Sequence, residues 1–360
     1  KRLLLRLLSA LHLPFFILYC GMGNANTADG RTEEEVTSEI ETIAKQIETA
    51  GSEDSDTNLS SSSEESLEIE IEQHLPEHNY DWKEKILGTG ELSVVHSASS
   101  VHTGKKVAIK RVAPKQLNHR RVQQIWKEAS ILNKISQISD VSTYFVNLVE
   151  GFIDHQGGIC LVTDRIPGVE LFEIIVQNPN GIPEAQVKIY IRQILAAVHE
   201  LHTNDIAHLD LKLENIMYNP KTNKINIIDF GFAEETVTVD IETGERKPKL
   251  LNKFCGSLDY SAPEILQHKE FDGKRADVWS LGVIVFALLT GNFPFDAPRR
   301  QRHRIQENIV IGKYPMPDTI SPFAASFLRR MLQKYPDNRS NVASLMKHPW
   351  LRRGNPQANR

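Results

Sequence analysis

The stretch HLDLKLEN at residues 208–215 places a carboxylate, an ammonium group and a carboxamide within one short loop. It follows a segment, residues 187–201, in which apolar residues recur at the helical period. Phosphoryl transfer to a hydroxyl needs a group that orients the nucleophile, a cation for the transferred group and oxygen ligands for a metal ion. Asp210, Lys212 and Asn215 supply these groups in that order, so the loop indicates phosphoryl-transfer chemistry.

A second carboxylate follows downstream in the triplet DFG at residues 229–231. It lies directly after the apolar strand pattern of residues 225–228 and fourteen residues beyond Asn215. Such triplets are frequent alone, but one at this distance from such a loop is specific. Asp229 would therefore supply another oxygen ligand for Mg2+.

Upstream of the loop, residues 87–95 read LGTGELSVV where two predicted strands should turn. Gly88 and Gly90 would let backbone amides approach phosphates closely. This signal is weak by itself because Gly-x-Gly turns are common. Ser93 stands at the third glycine position of the pattern, a departure that should weaken closure of the loop without abolishing it.

VAIK at residues 107–110 predicts a strand, residues 107–112, that presents Lys110 among apolar neighbours, fifteen residues after Val95. A buried ammonium group needs a partner, and Glu128 on the helical pattern of residues 125–135 is the candidate. The alternative, an ordinary surface lysine, is less consistent with the neighbouring motifs.

The composition separates an acidic N-terminal extension from a basic domain. Residues 27–78 contain sixteen acidic side chains against Arg31 and Lys45, while residues 79–360 carry a net charge of +7. Residues 51–72, rich in Ser, Glu and Asp, predict a disordered linker. Two alternatives remain open for the extension: a solvated tail, or a contact with the basic domain.

Four segments are expected along the chain: a targeting or upstream translated segment at residues 1–21, the acidic extension at 22–79, a catalytic domain at 80–352 and a tail at 353–360. A short amphipathic helix is predicted within residues 32–50. Residues 22–27 match a myristoylation pattern if translation starts at Met22, which excludes a signal peptide at residues 1–21.

Within the domain, the helical pattern after residue 183 is expected to begin with Pro183 at its first position and to end before Thr203. Residues 280–290 are apolar on nearly every face and predict a helix buried at the centre of a large lobe. The three cysteines are few and unclustered, which favours neither a disulfide framework nor a zinc site and fits a reducing compartment.

Together these motifs resemble the Ser/Thr protein kinases over about 270 residues. Residues 260–264 resemble the end of the activation segment and residues 277–282, beginning with Asp277, the start of the central helix of the C-lobe. Arg339 resembles the ion-pair partner of Glu264. Residues 348–350 are similar to the last helix of the calcium/calmodulin-dependent kinase group, in its AMP-activated-like or myosin-light-chain-kinase-like branch.

The resemblance implies an α+β fold in two lobes, a small β-rich N-lobe and a larger α-helical C-lobe, that uses ATP and Mg2+. Asp210 would be the catalytic base, Lys212 the stabiliser of the transferred group, and Asn215 and Asp229 the Mg2+ ligands. The implied ATP-binding residues are Leu87, Gly88, Thr89, Gly90, Val95, Ala108, Lys110, Glu128, Thr163 as gatekeeper, Asp164, Ile166, Glu170 and Met217. Glu264, Asp277 and Arg339 would be structural.

The family's usual His-Arg-Asp is HLD at residues 208–210, so Leu209 replaces the arginine that normally pairs with a phosphorylated activation segment. Activation through a phosphate on Thr236, Thr238 or Thr243 is therefore not expected. Ser257 resembles the residue that hydrogen-bonds the catalytic loop.

Two rivals of the active protein kinase remain: a pseudokinase scaffold, and a kinase of small molecules. The first is disfavoured because Lys110, Asp210 and Asp229 are all present, and the second because residues 260–264 and Lys212 are complete. We expect a monomer that acts on protein substrates with basic residues, above all arginine, before the Ser/Thr acceptor, with no nucleic acid partner. A cytoplasmic location is expected, with membrane association through the N-terminus as a further option.

Overall fold

The computed structural model describes residues 79–90, 93–138, 144–240 and 243–352. The predictions for residues 1–21, for the helix within residues 32–50, for the myristoylation pattern and for the linker at 51–72 lie outside these residues. The chain divides into two compact units. One comprises the described residues up to Gln123 together with Leu148–Arg165, and the other Gln124–Asn147 together with the described residues from Ile166 onward.

The first unit is built on a five-stranded antiparallel sheet in the order β1-β2-β3-β5-β4. Its strands are β1 Tyr80–Thr89, β2 Val94–Ser100, β3 Lys106–Val112, β4 Leu148–Ile153 and β5 Ile159–Asp164. The predicted strand at residues 107–112 is confirmed and begins one residue earlier. Val107 and Ile109 are 1% and 0% exposed, so alternation places Ala108 and Lys110 on the opposite face of β3.

The second unit is mainly helical, with short strand pairs around its loops. The first helix, α1 His119–Ser136, belongs to this unit from Gln124 onward. The others are α2 Leu171–Val176, α3 Glu184–Thr203, α4 Pro263–Leu266, α5 Gly273–Thr290, α6 Arg302–Ile311, α7 Pro322–Met331 and α8 Val342–Met346. Its strands are β6 Val169–Glu170, β7 Ile206–Ala207, β8 Ile216–Asn219, β9 Lys224–Ile227, β10 Glu234–Glu235, β11 Val237–Val239 and β12 Arg246–Pro248.

Helix α5 is the centre of this unit. Every residue from 276 to 289 is buried, which leaves the helix no polar face and confirms the prediction for residues 280–290. The Asp272 side chain accepts from Lys274 N at 2.8 Å to cap the first turn, and Gly291 ends the helix with a left-handed φ of 74°. Among the described helices, none combines the length and the apolar character needed to cross a membrane.

Helix α3 buries the predicted apolar side chains against this centre. These are Val187, Ile191, Ile194, Leu195, Val198 and Leu201. The predicted ends need correction. Pro183 precedes the helix with an extended ψ of 133° instead of occupying its first position, and the helix includes Thr203. A proline fixes φ but leaves ψ free, so the sequence alone does not distinguish these two positions.

Three small sheets hold the loops that carry the predicted chemistry. Strands β6, β8 and β9 form one small antiparallel sheet, β7 pairs with β10, and β11 pairs with β12 in a hairpin. The stretch at residues 208–215 therefore runs from the end of β7 to the start of β8.

Candidate active site

The catalytic loop is fixed at its base by a buried carboxylate of α5. Asp277, which is 0% exposed, accepts hydrogen bonds from His208 N at 2.9 Å and Leu209 N at 2.8 Å. Its Oδ2 also lies 2.9 Å from His202 Nε2. Charge-assisted bonds to consecutive amides fix the direction in which the chain enters the loop.

Leu209 and Gly256 show how tightly the backbone packs at this point. Leu209 adopts a φ of 64°, in the left-handed region that non-glycine residues seldom occupy. Gly256 has a φ of 81°, and a Cβ there would lie 2.6 Å from Leu209 O. The strained turn at Leu209 thus depends on a glycine in the activation segment.

The carboxylate of Asp210 lies within a network of donors. Lys212 Nζ donates to Oδ2 at 2.7 Å and Asn215 Nδ2 donates to the same oxygen at 3.2 Å. Ser257 donates to Oδ1 through its backbone N at 2.9 Å and its Oγ at 3.1 Å. Asp210 is only 4% exposed, so these contacts fix the rotamer of a carboxylate that stays close to an ammonium group.

Asn215 and Asp229 are brought together by the backbone. Ile228 N donates to Asn215 O at 2.9 Å, which sets Asp229 beside the end of the catalytic loop. Asp229 has a left-handed φ of 59°, and its Oδ1 accepts from Gly231 N at 3.2 Å. Phe230 is buried, with its ring 5.8 Å from that of Phe145.

The donor set of these two residues suits Mg2+. Asn215 Nδ2 donates to Asp210 O at 2.9 Å as well as to Oδ2, so the amide oxygen is the atom left for a cation. A carboxamide oxygen and a carboxylate are the hard ligands that Mg2+ takes, usually one or two from protein with the rest from water and phosphate. The two residues therefore fit the predicted ion.

A buried ion pair supports the end of the activation segment. Arg339, 2% exposed, donates to Glu264 through Nη1 at 2.6 Å and Nη2 at 2.7 Å. Its guanidinium lies 5.1 Å from the centroid of the Trp279 ring. The paired fork geometry fixes α4 against α5 and its neighbours.

The predicted ATP-binding residues are divided between the two units. In the first unit the register sets Gly88 opposite Val95, Val95 opposite Lys110 and Ala108 opposite Thr163. Gly90 N donates to Ser93 O at 2.8 Å, so the glycine-rich stretch does turn between β1 and β2. Leu87 and Thr89 are in β1 and Asp164 ends β5.

In the second unit, Glu170 of β6 pairs with Met217 of β8. Ile166 is the first residue of this unit after the sheet, and Glu128, 7% exposed, is on α1.

The protein kinase domain family matches residues 82–351, about three quarters of the sequence. The chain belongs to the protein kinase family. This membership confirms the predicted α+β kinase fold and the prediction that the chain is a protein kinase. A relative in Danio rerio, described as a serine/threonine-protein kinase SIK3 homolog, is 33% identical over 273 residues. The alignment covers 76% of this chain and 21% of the relative, so the kinase spans about a fifth of that protein's length.

The candidate phosphorylation sites of this kinase differ in exposure. Thr236 is 6% exposed, whereas Thr238 and Thr243 are exposed on the hairpin of β11 and β12. Thr238 Oγ1 donates to Lys247 O at 3.4 Å. Thr236 is thus shielded from a modifying enzyme, whereas Thr238 and Thr243 are accessible, a difference that the sequence does not show.

Two features of the kinase were missed in the sequence. Tyr260 Oη accepts from Leu213 N at 3.3 Å and donates to Glu214 Oε2 at 3.1 Å, which ties the activation segment to the catalytic loop. Glu234 is buried and pairs with Lys127, more than a hundred residues away in sequence. Only the position of Glu234 shortly after the DFG triplet hints at a role.

Proposed function

We propose that this kinase transfers the γ-phosphoryl group of ATP to Ser and Thr hydroxyls of proteins, and that it favours an arginine three residues before the acceptor. The observation that supports the reaction is the carboxylate of Asp210, held by Ser257 and Asn215 with an ammonium group 2.7 Å away. The printed name of the Danio rerio relative supports Ser/Thr acceptors. Residues 348–350, which resemble the last helix of the calcium/calmodulin-dependent kinase group, support membership of that group.

In this reaction Asp210 orients the acceptor hydroxyl and takes its proton as the new oxygen–phosphorus bond forms. The bond between the γ-phosphorus and its bridging oxygen breaks, and ADP leaves. Lys212 compensates the charge on the transferred group, and Lys110 holds the remaining phosphates. Asn215 and Asp229 would hold Mg2+, which when bound neutralises charge on the phosphates.

The preference for arginine is supported by two carboxylates of the second unit. Within the described part of the chain, neither Glu170 nor Glu214 forms a salt bridge. Burial raises the pKa of Glu170, the charges of Glu173 and Glu214 raise it further, and the charge of Lys212 offsets only part of this rise. A cation placed between Glu170 and Glu214 would remove this repulsion, and a guanidinium can bind a carboxylate in a bidentate manner.

The test uses two peptides that differ only by Arg or Ala three residues before Ser. We expect wild type to favour the Arg peptide in kcat/KM by about tenfold, the usual size of a hydrogen bond to a charged group. Glu170→Ala should remove most of this ratio. Glu173→Gln changes an exposed acid of α2, three residues after Glu170, and keeps the oxygen that accepts from Glu170 N. It is the matched control and should leave the ratio within about twofold.

The same ratio should depend on pH. Arginine binds the charged carboxylate, so protonation of Glu170 removes the preference as the pH falls, and the raised pKa moves this loss above the usual range for glutamate. A ratio that is equal in wild type and Glu170→Ala, or that does not change with pH in wild type, would assign the selectivity to other residues. Incorporation of phosphate into neither peptide would contradict the reaction itself.

A further inference from the structure

Glu234 lies at the start of the activation segment, five residues after Asp229. Strand β10 pairs it with Ala207, the last residue before the catalytic loop. Glu234 is 6% exposed, so its carboxylate is removed from solvent and needs partners of opposite charge.

Three lysines surround this carboxylate. Lys253 Nζ donates to Oε1 at 2.7 Å, Lys249 Nζ lies 3.2 Å from Oε2, and Lys127 of α1 pairs with Oε2 as well. Lys253 Nζ also donates to Phe232 O at 3.3 Å. One carboxylate therefore connects α1 to both the beginning and the middle of the activation segment.

The charge on Glu234 persists at every physiological pH. Burial alone would raise the pKa of this carboxyl, but the hydrogen bonds and charges of Lys127 and Lys253 outweigh it and lower the pKa to about 2. Glu234 is thus charged, and able to pair with these lysines, throughout the physiological pH range.

A second contact links the same helix to the same segment. Gln124 Nε2 donates to Gly231 O at 2.9 Å, one helical turn before Lys127 on α1. The DFG triplet and Glu234 are therefore both held by one face of α1. Glu128, next to Lys127, is the predicted partner of Lys110.

Leu209, at the position of the family's arginine, offers no cation to a phosphate in this region. Leu209 is 5% exposed, and a Cβ at Gly273 would lie 3.3 Å from Leu209 Cδ2 and 3.1 Å from Leu251 Cδ1, so the side chain packs in an apolar pocket. Lys127 of α1 and Lys249 and Lys253 of the segment are already paired with Glu234. A phosphate on the segment would find these cations occupied.

We propose that Glu234 is a positioning residue that substitutes for an activating phosphate. Its carboxylate draws Lys127, Lys249 and Lys253 together, orders the activation segment against α1, and keeps Asp229 in place for catalysis. This inference concerns how the kinase is kept active and does not depend on its preference for arginine.

The variants come in matched pairs on α1 and β10. Lys127→Met and Glu234→Ala break the buried pair. Lys134→Met and Glu235→Gln break an exposed pair, 2.8 Å apart, between the same two elements. Each protein is produced in bacteria, treated with phosphatase and assayed with a peptide that wild type phosphorylates, with circular dichroism to confirm folding.

Wild type should be fully active after phosphatase treatment. Glu234→Ala and Lys127→Met should lose about tenfold in kcat, a usual size for coupling between two sites, with little change in the KM for ATP. The exposed-pair variants should stay within about twofold of wild type. Lys127→Met leaves Glu234 paired with Lys249 and Lys253 and removes only the ion pair to α1. This variant therefore tests the contact with α1 even if Glu234→Ala does not fold.

Inorganic phosphate separates this role from simple stabilisation. Glu234→Ala leaves three ammonium groups around an empty site, which a phosphate ion can fill, so added phosphate should restore part of kcat in this variant and none in Lys127→Met. Wild-type activity that requires phosphorylation of the segment, or buried-pair variants with kcat equal to the exposed-pair variants, would overturn the proposal. So would a folded Glu234→Ala whose kcat does not respond to phosphate.

Discussion

Two sets of carboxylates in the second unit differ in what surrounds them. Glu264 and Asp277 are buried, and each is fully engaged with arginine or with backbone amides. Glu170 and Glu214 are only partly buried, form no salt bridge within the described residues and repel each other. A carboxylate paired with arginine or with several amides holds the fold, whereas one whose charge is only partly compensated is available to a ligand.

Asp210 and Glu234 show that having hydrogen-bond partners does not by itself make a buried carboxylate structural. Both are buried and hydrogen-bonded like Asp277, yet we place one in the reaction and the other in the control of α1. What distinguishes them is the partner. Among the described residues, Asp277 has no lysine partner and binds two consecutive backbone amides and a histidine. Asp210 and Glu234 each bind at least one lysine side chain, which can bind another anion in place of the carboxylate.

The largest effect is expected where the scaffold is broken. Arg339→Leu leaves Glu264 buried without its cation, which should lower the free energy of unfolding by about 3–5 kcal/mol in chemical denaturation. The ratio of kcat/KM between the Arg and Ala peptides should not change, when it is measured under conditions in which the variant is still folded. A loss of less than about 1 kcal/mol would mean that this pair is not a scaffold contact.

Glu264→Leu combined with Arg339→Leu is the control for that measurement. Removing both charges takes away the unpaired anion, so the double variant should be more stable than Arg339→Leu alone. Equal stability of the two variants would attribute the loss to the packing of Arg339 on Trp279, whose ring lies 5.1 Å from the guanidinium.

The next largest effect is expected at Asp210, a buried carboxylate whose replacement should lower turnover and leave stability nearly unchanged. Asp210→Asn keeps the size of the side chain and an oxygen for Ser257 N, so stability and ATP affinity should change little. Because the variant cannot take the proton of the acceptor hydroxyl, kcat should fall by at least about two orders of magnitude. Single-turnover assays with saturating ATP measure the rate of phosphoryl transfer. Near-normal turnover would show that Asp210 has a structural role only.

The sequence predicted the parts of this kinase that depend on neighbours in the chain. Strand β3, the buried faces of α3 and the all-apolar helix α5 follow from local periodicity. The roles proposed for Asp210, Lys212 and Asn215 rest on a motif of eight residues. The acid Asp277 was also predicted, but only through resemblance, since its bonds to His208 and Leu209 span nearly seventy residues.

The parts that escaped prediction depend on distant contacts. Lys127, Lys249 and Lys253 are ordinary lysines in the sequence, and only the fold brings them to Glu234 from different elements. The burial of Thr236 likewise comes from backbone bonds with Asp205 O and Lys249 N that no local pattern shows.

The smallest effect is expected from the acidic extension, a third set of carboxylates with no assigned partner. Residues 298–304 form an exposed run with four arginines, and Arg300 Nη2 lies 2.8 Å from Asp259 Oδ2, near the end of the activation segment. If the extension occupies this basic surface, it competes with the approach of substrates. Deletion of residues 1–75 should then raise peptide phosphorylation by about two- to threefold at low salt and less at about 0.15 M, where the Debye length is about 8 Å.

Two variants locate this contact. Replacing the acids of residues 51–72 by Gln and Asn keeps the length of the chain but removes its charge, and should reproduce the deletion. Arg302→Ala with Arg304→Ala changes two exposed cations and should make the deletion ineffective. Because a contact between charges is screened by salt whereas steric bulk is not, a deletion effect that persists unchanged at high salt would assign it to bulk. Equal rates with and without residues 1–75 at every salt concentration would show that the extension is a solvated tail.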